Sequence, residues 1–311
     1  MGSGVRAVRR MVTPATVCLT AIVFLATASV ATAASIIPVK TSRLNEYLPS
    51  SNAGYLMWSE NSTAHPNQYN EFIQQGSGPV RNVNPSGSQG VWGAVSSDGT
   101  TAAFQEIING KSNIELYNTG SHTVSNPPAG VNTKEWEWSP SIDGNYLLFA
   151  RNDITATFPP DDVVLFKLST DTQLVLGTSG LRKGYMQAGQ VSGDYATYQK
   201  CSASVCNVYR YQISTATTTM VPNPRSKVNY ASSVDTSGTV YFGRSGWNCG
   251  SNARLEKWTP GGSPPSTLYT PAVGVDFGGS FTETTGGGDV LFFDRVKCAS
   301  NSWDIFKMNQ P

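Results

Sequence analysis

The sequence is poor in charge and in histidine. Lysine, arginine, aspartate and glutamate together make up 14% of its 311 residues, and it has two histidines. Its basic and acidic residues nearly balance, with a formal net charge of +1. A near-neutral chain lacks the basic surface that attracts nucleic acids and anionic lipids, so we expect neither as a partner.

Motifs of known catalytic centres are also lacking. The chain has no G-x-S-x-G nucleophile elbow, no phosphate-binding glycine loop and no H-E-x-x-H zinc motif. A serine–histidine–aspartate triad would need His65 or His122, and neither has an acidic residue or a cysteine beside it. We therefore expect no catalytic residue, no cofactor and no metal, with a weak calcium alternative at Asp153, Asp161 and Asp162.

The longest uncharged apolar stretch lies at the N-terminus. Three arginines among the first ten residues precede the stretch from Val12 to Val30, and Ala31-Thr32-Ala33 fits the rule for signal peptidase. We predict a Sec signal peptide over residues 1–33, cleaved after Ala33, and export of residues 34–311 to the extracellular space. A retained membrane anchor is the alternative, which the serines and threonines in this stretch disfavour.

An internal repeat runs through the remaining residues. Six short apolar runs each end in an aromatic residue, spaced 44 to 51 residues apart: Trp58, Phe104, Phe149, Tyr198, Phe242 and Phe293. A second run follows each after 13 to 17 residues, with its own aromatic: Phe72, Tyr117, Phe166, Tyr211, Trp258 and Phe306. Turns of glycine, asparagine and aspartate precede the first runs, as tight hairpins require.

This repeat predicts an all-β fold, a six-bladed β-propeller with four-stranded blades. A single unit of this length cannot bury both faces, whereas radial stacking buries them and ring closure protects the edges. The last unit ends with its third strand, so we expect the apolar run Ser35–Val39 to supply the outer strand and close the ring. Two stacked β-sandwiches are the alternative, which the even spacing disfavours. We expect residues 34–311 to be one domain and a monomer.

The third unit resembles a known repeat. Trp138-Ser139-Pro140, then Asp143-Gly144 and the strand Val164-Leu165-Phe166 are similar to the TolB-type (WD40-like, PD40) propeller repeat. Residues Val95–Gly99 lack the tryptophan and the proline of that motif, and the last two units keep only its spacing. The resemblance implies the fold but no function, because propellers serve as peptidase gates, lectins, lactonases and scaffolds.

The cysteines after the signal peptide are even in number: Cys201, Cys206, Cys249 and Cys298. In an exported protein this predicts two disulfides. We expect Cys201 to pair with Cys206 within one hairpin, and Cys249 with Cys298 between neighbouring units. A four-thiol zinc site is the alternative, which the lack of a CxxC pair disfavours.

A third aromatic residue in each unit stands at the entrance to its first strand: Tyr47, Trp92, Trp136, Tyr185, Tyr230 and Phe277. In a propeller these entrances lie near the mouth of the central channel, where aromatic faces can stack on sugars or flat ligands. Polar residues nearby include Glu135, Arg182 and Asp276. The alternative is that the rings pack between the blades.

We therefore expect a secreted binding module that uses this face for a glycan, an envelope polymer or a protein. The alternative is an extracellular hydrolase or lyase, with carboxylates among Glu46, Glu106, Glu135 and Asp276 as acid and base. A third possibility is a scaffold that pairs through its outer rim. Two carboxylates converging on one pocket would favour an enzyme, and an aromatic, amide-lined pocket would favour binding.

Overall fold

The structure is a computed structural model that describes residues 36–62, 64–152, 161–179, 184–202, 205–223, 228–246, 248–262, 264–283 and 290–309. The predicted signal peptide and its cleavage site lie outside these ranges, and so do Asp153 and Arg182. No helix in the described ranges is long and apolar enough to cross a membrane.

The described residues form an all-β fold of successive four-strand units. Strand β1 is Ile36–Lys40. Unit one comprises β2 (Asn45–Asn52), β3 (Tyr55–Ser62), β4 (His65–Gln75) and β5 (Arg81–Asn82). Unit two comprises β6 (Gln89–Val95), β7 (Thr101–Ile108), β8 (Lys111–Asn118) and β9 (Thr123–Ser125). Unit three comprises β10 (Trp136–Asp143), β11 (Tyr146–Asn152), β12 (Asp161–Lys167) and β13 (Thr172–Thr178).

The later units repeat this plan. Unit four comprises β14 (Met186–Ser192), β15 (Tyr195–Cys201), β16 (Cys206–Gln212) and β17 (Thr217–Met220). Unit five comprises β18 (Val228–Val234), β19 (Val240–Ser245), β20 (Arg254–Trp258) and β21 (Ser266–Tyr269). Unit six comprises β22 (Val275–Glu283), β23 (Val290–Lys297) and β24 (Ser302–Asn309), and β1 pairs antiparallel with β24 as its fourth strand.

Within each unit the strands pair antiparallel in the order of the chain, as tight hairpins dictate. Ala53 and Gly54 both have positive φ in the two-residue turn between β2 and β3, which matches the twist of the paired strands. A single parallel bridge between Cys206 and Val228 joins units four and five into one eight-stranded sheet. The first strands of successive units contact one another, and β22 also contacts β2.

Five hydrophobic clusters among the described residues fill the spaces between successive units. Between units one and two, for example, Met57 and Ile73 pack against Phe104 and Tyr117. The aromatics that end the six predicted apolar runs are all buried, and they lie on the second strands. The repeat thus marks the face of each unit that packs on its neighbour.

Two disulfides reinforce the last three units. Cys201 bonds to Cys206 across the hairpin of β15 and β16, and Cys249 bonds to Cys298 between units five and six. These are the pairings that the sequence spacing predicts. Disulfides of this kind are typical of an oxidising compartment.

Candidate functional site

A cavity of about 460 Å³, here called the seam cavity, lies where unit one meets units two and six. Four aromatic residues line it: Tyr47, Tyr69, Trp92 and Trp303. Four amide side chains line it as well: Asn45, Asn61, Gln105 and Asn301. Asp294 is the one carboxylate among the described lining residues. Such walls are chemically suited to a ligand that has both apolar faces and hydrogen-bonding groups.

Tyr47 stands at the centre of the aromatic wall. Its ring centroid lies 6.0 Å from that of Trp303, and 6.3 Å from that of Tyr69 in an edge-on arrangement. On the other side of the cavity, Trp92 packs against Trp138 of unit three at 5.6 Å. The rings are therefore braced by their neighbours and form preformed contact surfaces.

β-Bulges set the direction of the backbone at this wall. The pairing register shifts between Tyr47 and Ser50 in β2, and between Val91 and Ala94 in β6. Leu48 and Trp92 have φ values of 56° and 55°, an arrangement that is costly for bulky residues. The first strands of the other four units have register shifts at similar positions, so the bulge is a feature of the repeat.

The bulges are held by side chains of the preceding unit. The backbone N–H of Leu48 donates to Oδ2 of Asp294 at 2.9 Å, and that of Trp92 donates to Oγ of Ser59 at 3.0 Å. Both acceptors are buried. The inter-unit contacts therefore stabilise the strained conformations that place the cavity walls.

A chain of hydrogen bonds orients the Tyr47 hydroxyl. The backbone N–H of Trp303 donates to Oδ1 of Asn45 at 3.3 Å, and Nδ2 of Asn45 donates to Oδ1 of Asn61 at 3.0 Å. Nδ2 of Asn61 then donates to the Tyr47 hydroxyl oxygen at 3.1 Å. Because that oxygen accepts a bond, its own hydrogen can be donated to a ligand.

Burial raises the pKa of two groups at the cavity wall, Tyr47 and Glu71. Burial raises the pKa of the Tyr47 phenol, and the neighbouring Tyr69, Glu71 and Asp294 raise it further. Burial also raises the pKa of Glu71, behind the wall, to about 8. Glu71 accepts bonds from the Ser59 hydroxyl at 2.7 Å and from the Gly93 N–H at 3.2 Å. Burial thus favours the protonated form of Glu71.

The predicted ring of aromatics divides into three pairs. Tyr47 and Trp92 line the seam cavity. Trp136 and Tyr185 are 39% and 44% exposed at the starts of the first strands of units three and four. The Tyr185 hydroxyl accepts a bond from Nε2 of Gln199 at 2.9 Å, which fixes its position without covering its ring.

The remaining pair corrects the expectation of six ligand-facing rings. Phe277 is 4% exposed and packs in the cluster between units five and six. Tyr230 packs against the same cluster, and its hydroxyl donates to Asp276 at 2.5 Å. Asp276 is buried and also accepts from the Gly250 N–H at 2.9 Å. Tyr230, Asp276 and Phe277 therefore pack within the fold. Gly243 has no side chain, so the Tyr230 ring can lie across the neighbouring strand.

The four candidate acid–base carboxylates do not converge. None of Glu46, Glu106, Glu135 and Asp276 is among the described residues that line the seam cavity. Glu46 accepts from the Ser42 N–H at 3.1 Å, and Glu135 lies 3.7 Å from Nε of Arg151. The cavity is therefore lined by aromatic and amide groups with one carboxylate, and this arrangement is suited to binding.

Metal ligation has little support in the described part of the chain, where no three histidine, cysteine, aspartate or glutamate side chains converge. Asp161 is buried, and its carboxylate accepts from Asn152 at 3.1 Å and from the Met186 N–H at 3.1 Å. Both oxygens of Asp161 thus accept hydrogen bonds from protein groups.

The sequence pattern missed half of the cavity wall. Tyr69 and Trp303 lie on the third strands of units one and six, whereas the predicted pattern contains one aromatic at the entrance to each first strand. A pattern that also includes the aromatic residues of the third strands would have predicted both Tyr69 and Trp303. Asn61 and Gln105 carried no recognisable signal, because amides are common in turns and strand ends of any β protein.

Comparison with solved structures gives similarity in fold at low sequence identity. A TolB-type protein from Agrobacterium tumefaciens superposes with a TM-score of 0.58 at 13% identity, over 89% of this chain and 98% of that chain. The β-propeller domain of the Trilobed protease from Pyrococcus furiosus gives 0.52 at 11% identity, over 86% and 96%. This chain has a TolB-like β-propeller fold.

The fold also occurs within larger enzymes. A puromycin-hydrolysing peptidase from Mycobacterium tuberculosis gives a TM-score of 0.54 at 9% identity, over 85% of this chain. This chain spans about half of that peptidase, 53% of its length. No family model matches the sequence, and no curated protein matches it. At these identities the similarity shows the fold alone.

Proposed function

We propose that the protein is a secreted binding module whose ligand occupies the channel-mouth face of a six-bladed propeller. The observation that carries this proposal is the seam cavity, whose described lining residues include four aromatic rings, four amides and a single carboxylate. The ligand is a glycan, an envelope polymer or a protein segment with flat apolar groups. The protein acts as a monomer.

The order of contacts supports six blades and a closed ring. Each four-strand unit packs on the next, and β2 of unit one contacts β22, β23 and β24 of unit six. Pairing of β1 with β24 completes the last unit with residues from the start of the domain. Closure of this kind removes exposed sheet edges at the ends of the repeat. We assign the units to the PD40-type repeat on the motif around Trp138.

Export rests on the sequence and on the disulfides. Residues 1–33 have the composition of a signal peptide, and residues 34–311 make the propeller domain. Two disulfides form most readily in an oxidising compartment. Both features agree with an extracellular location.

The binding face extends beyond the seam cavity. In a six-bladed ring, the starts of all first strands lie on one side, together with the turns between second and third strands. Trp136 and Tyr185 are exposed at such starts, and part of each ring faces solvent. A long ligand can therefore contact these two rings as well as the cavity. The hydrolase or lyase alternative lacks a comparable pair of carboxylates at the cavity.

The test is binding of the purified, exported protein to peptidoglycan fragments, teichoic acid and neutral β-linked oligosaccharides. A Trp136→Ala/Tyr185→Ala double variant serves as the comparison, with its melting temperature measured beside the wild type. We expect binding by the wild type and at least about tenfold weaker binding of long polymers by the variant. Absence of binding to every member of the panel would contradict the proposal.

A further inference from the structure

We propose that the seam cavity binds an N-acetylated sugar residue of a neutral oligosaccharide. This inference rests on the binding function proposed above and names its ligand class. It follows from the size of the cavity, from its lining, and from two buried polar atoms in its wall.

The size and the aromatic lining fit a sugar ring. A cavity of about 460 Å³ lies within the usual range of small-ligand sites, roughly 300–1,000 Å³. Tyr47 and Trp303 face it from units one and six, and Trp92 faces it from unit two. The C–H faces of a pyranose pack on aromatic rings, while its hydroxyls remain free for polar contacts.

The polar lining fits a neutral ligand. Asn45, Asn61 and Asn301 offer amide groups, which donate and accept bonds and so match sugar hydroxyls. One oxygen of Asp294 already accepts the Leu48 N–H, so this side chain is engaged within the protein. The cavity holds no lysine or arginine among its described lining residues.

Two polar atoms in the wall point to the acetamido group. Within the described residues, Nε1 of Trp92 and Oε1 of Gln105 are buried and have no hydrogen-bond partner. One is a donor and the other an acceptor, and they belong to the adjacent strands β6 and β7. An acetamido group offers the complementary pair, a carbonyl that accepts and an N–H that donates.

Contact with these atoms requires a small rearrangement. Both atoms are covered by neighbouring side chains, so the Gln105 amide or the Trp92 indole must rotate to meet the ligand. Nε2 of Gln105 is held by the Ser112 hydroxyl at 2.7 Å, which leaves the amide oxygen as the group to be exposed. Leaving such atoms unpaired is costly, and a ligand that pairs them gains that free energy.

The experiment compares two trisaccharides by calorimetry with the protein expressed as the full chain and purified after export. N,N′,N″-Triacetylchitotriose, hereafter called chitotriose, differs from cellotriose only in having acetamido groups in place of the hydroxyl groups at C2. We expect chitotriose to bind at least about tenfold more tightly, which corresponds to one paired polar group. Trp303→Ala should abolish this binding, and Leu174→Ala, at an exposed side chain on the outer strand β13, should retain it.

Gln105→Leu should reduce the preference for chitotriose while keeping cellotriose affinity within about twofold. Equal affinity of the wild type for both sugars, or chitotriose binding unaffected by Trp303→Ala, would overturn the inference. If another polymer of the panel binds instead, and binding depends on Trp136 and Tyr185, the inference fails and the binding function stands. If nothing binds, both fail. The comparison of two sugars on the wild type needs no variant and so does not depend on variant folding.

Discussion

The backbone N–H of Leu48 donates a 2.9 Å hydrogen bond to Oδ2 of Asp294, 246 residues further along the chain. This bond joins unit one to unit six at the wall of the seam cavity. Lys40 crosses the same junction, where its ammonium donates to Gln74 at 3.0 Å and lies 4.1 Å from the Trp58 ring. Polar contacts and the packing of the Tyr47 ring near the Trp303 ring thus join the first and last units.

Deletion of residues 34–40 should lower the melting temperature sharply, by roughly 10 °C or more. The deletion removes β1, leaves β24 as an unpaired edge, and removes the Lys40 contacts across the junction. Thermal unfolding followed by circular dichroism measures the effect against the unaltered full chain. A melting curve that does not change would show that β1 contributes nothing to closure.

Gly93→Ala should destabilise the protein by about 1–3 kcal/mol. A Cβ at this position would overlap the Glu71 carboxylate and the Met57 side chain, both of which are buried. Urea unfolding gives the change in free energy of unfolding.

Gly120→Ala is the matched control. The nearest atom to its Cβ would be Oδ1 of Asn118 at 3.5 Å, an ordinary contact. We expect a change within about 0.5 kcal/mol. If both variants lose the same free energy of unfolding, the close contacts of Gly93 with Glu71 and Met57 do not account for the loss.

Stability should fall as pH rises through the range in which Glu71 is protonated only in the folded protein. Burial raises its pKa from 4.5 to about 8, so the folded state holds a proton that the unfolded state releases. The free energy of unfolding then decreases between about pH 4.5 and 8, by up to about 1.4 kcal/mol per pH unit, and levels above pH 8.

Glu71→Gln should flatten this dependence, because the neutral amide has no proton to lose. Urea unfolding at pH 5 and pH 8 should show a smaller loss of stability for the variant than for the wild type. Glu135→Gln, at a partly exposed carboxylate beside Arg151, is the control and should keep the slope. An unchanged slope in Glu71→Gln would mean that Glu71 is ionised in the folded state.

The two disulfides should differ in their contribution to stability. Cys249 and Cys298 are 49 residues apart, and Cys201 and Cys206 are 5 apart. Loop-closure entropy gives about 4 and about 2 kcal/mol for loops of these lengths. Serine replacement of the long-range pair should therefore cost about 2 kcal/mol more, by urea unfolding. Equal losses would contradict the entropic account.

The repeat in the sequence was sufficient to predict the strands and their order, because burial of aromatics such as Phe104 and Phe149 imposes a regular spacing. The disulfide pairing followed from equivalent positions in neighbouring units. Tyr230 and Phe277 could not be separated from Trp136 in this way, since all occupy the same place in the repeat. Local packing decides between them. The Tyr230 ring lies over Gly243, and Tyr230 and Phe277 both pack in a nearby apolar cluster.

The seam cavity itself was out of reach of sequence reasoning. Its wall combines Tyr47 with Trp303 and Asp294, which become neighbours only when the first and last units meet. No local pattern encodes a contact of this range. The positive φ at Leu48 and Trp92 also depends on bonds from other units, because neither residue favours this conformation by itself.

Hydrogen–deuterium exchange with and without the polymer of the panel that binds most tightly tests the binding face most directly. We predict slower exchange on binding in β2 around Leu48, in β6 around Trp92, and at the start of β24. The contradicting result is protection confined to the outer strands β13 and β17, where Leu174, Val175 and Met220 are exposed. That outcome would place the partner on the outer rim and would remove the seam cavity from the function of the protein.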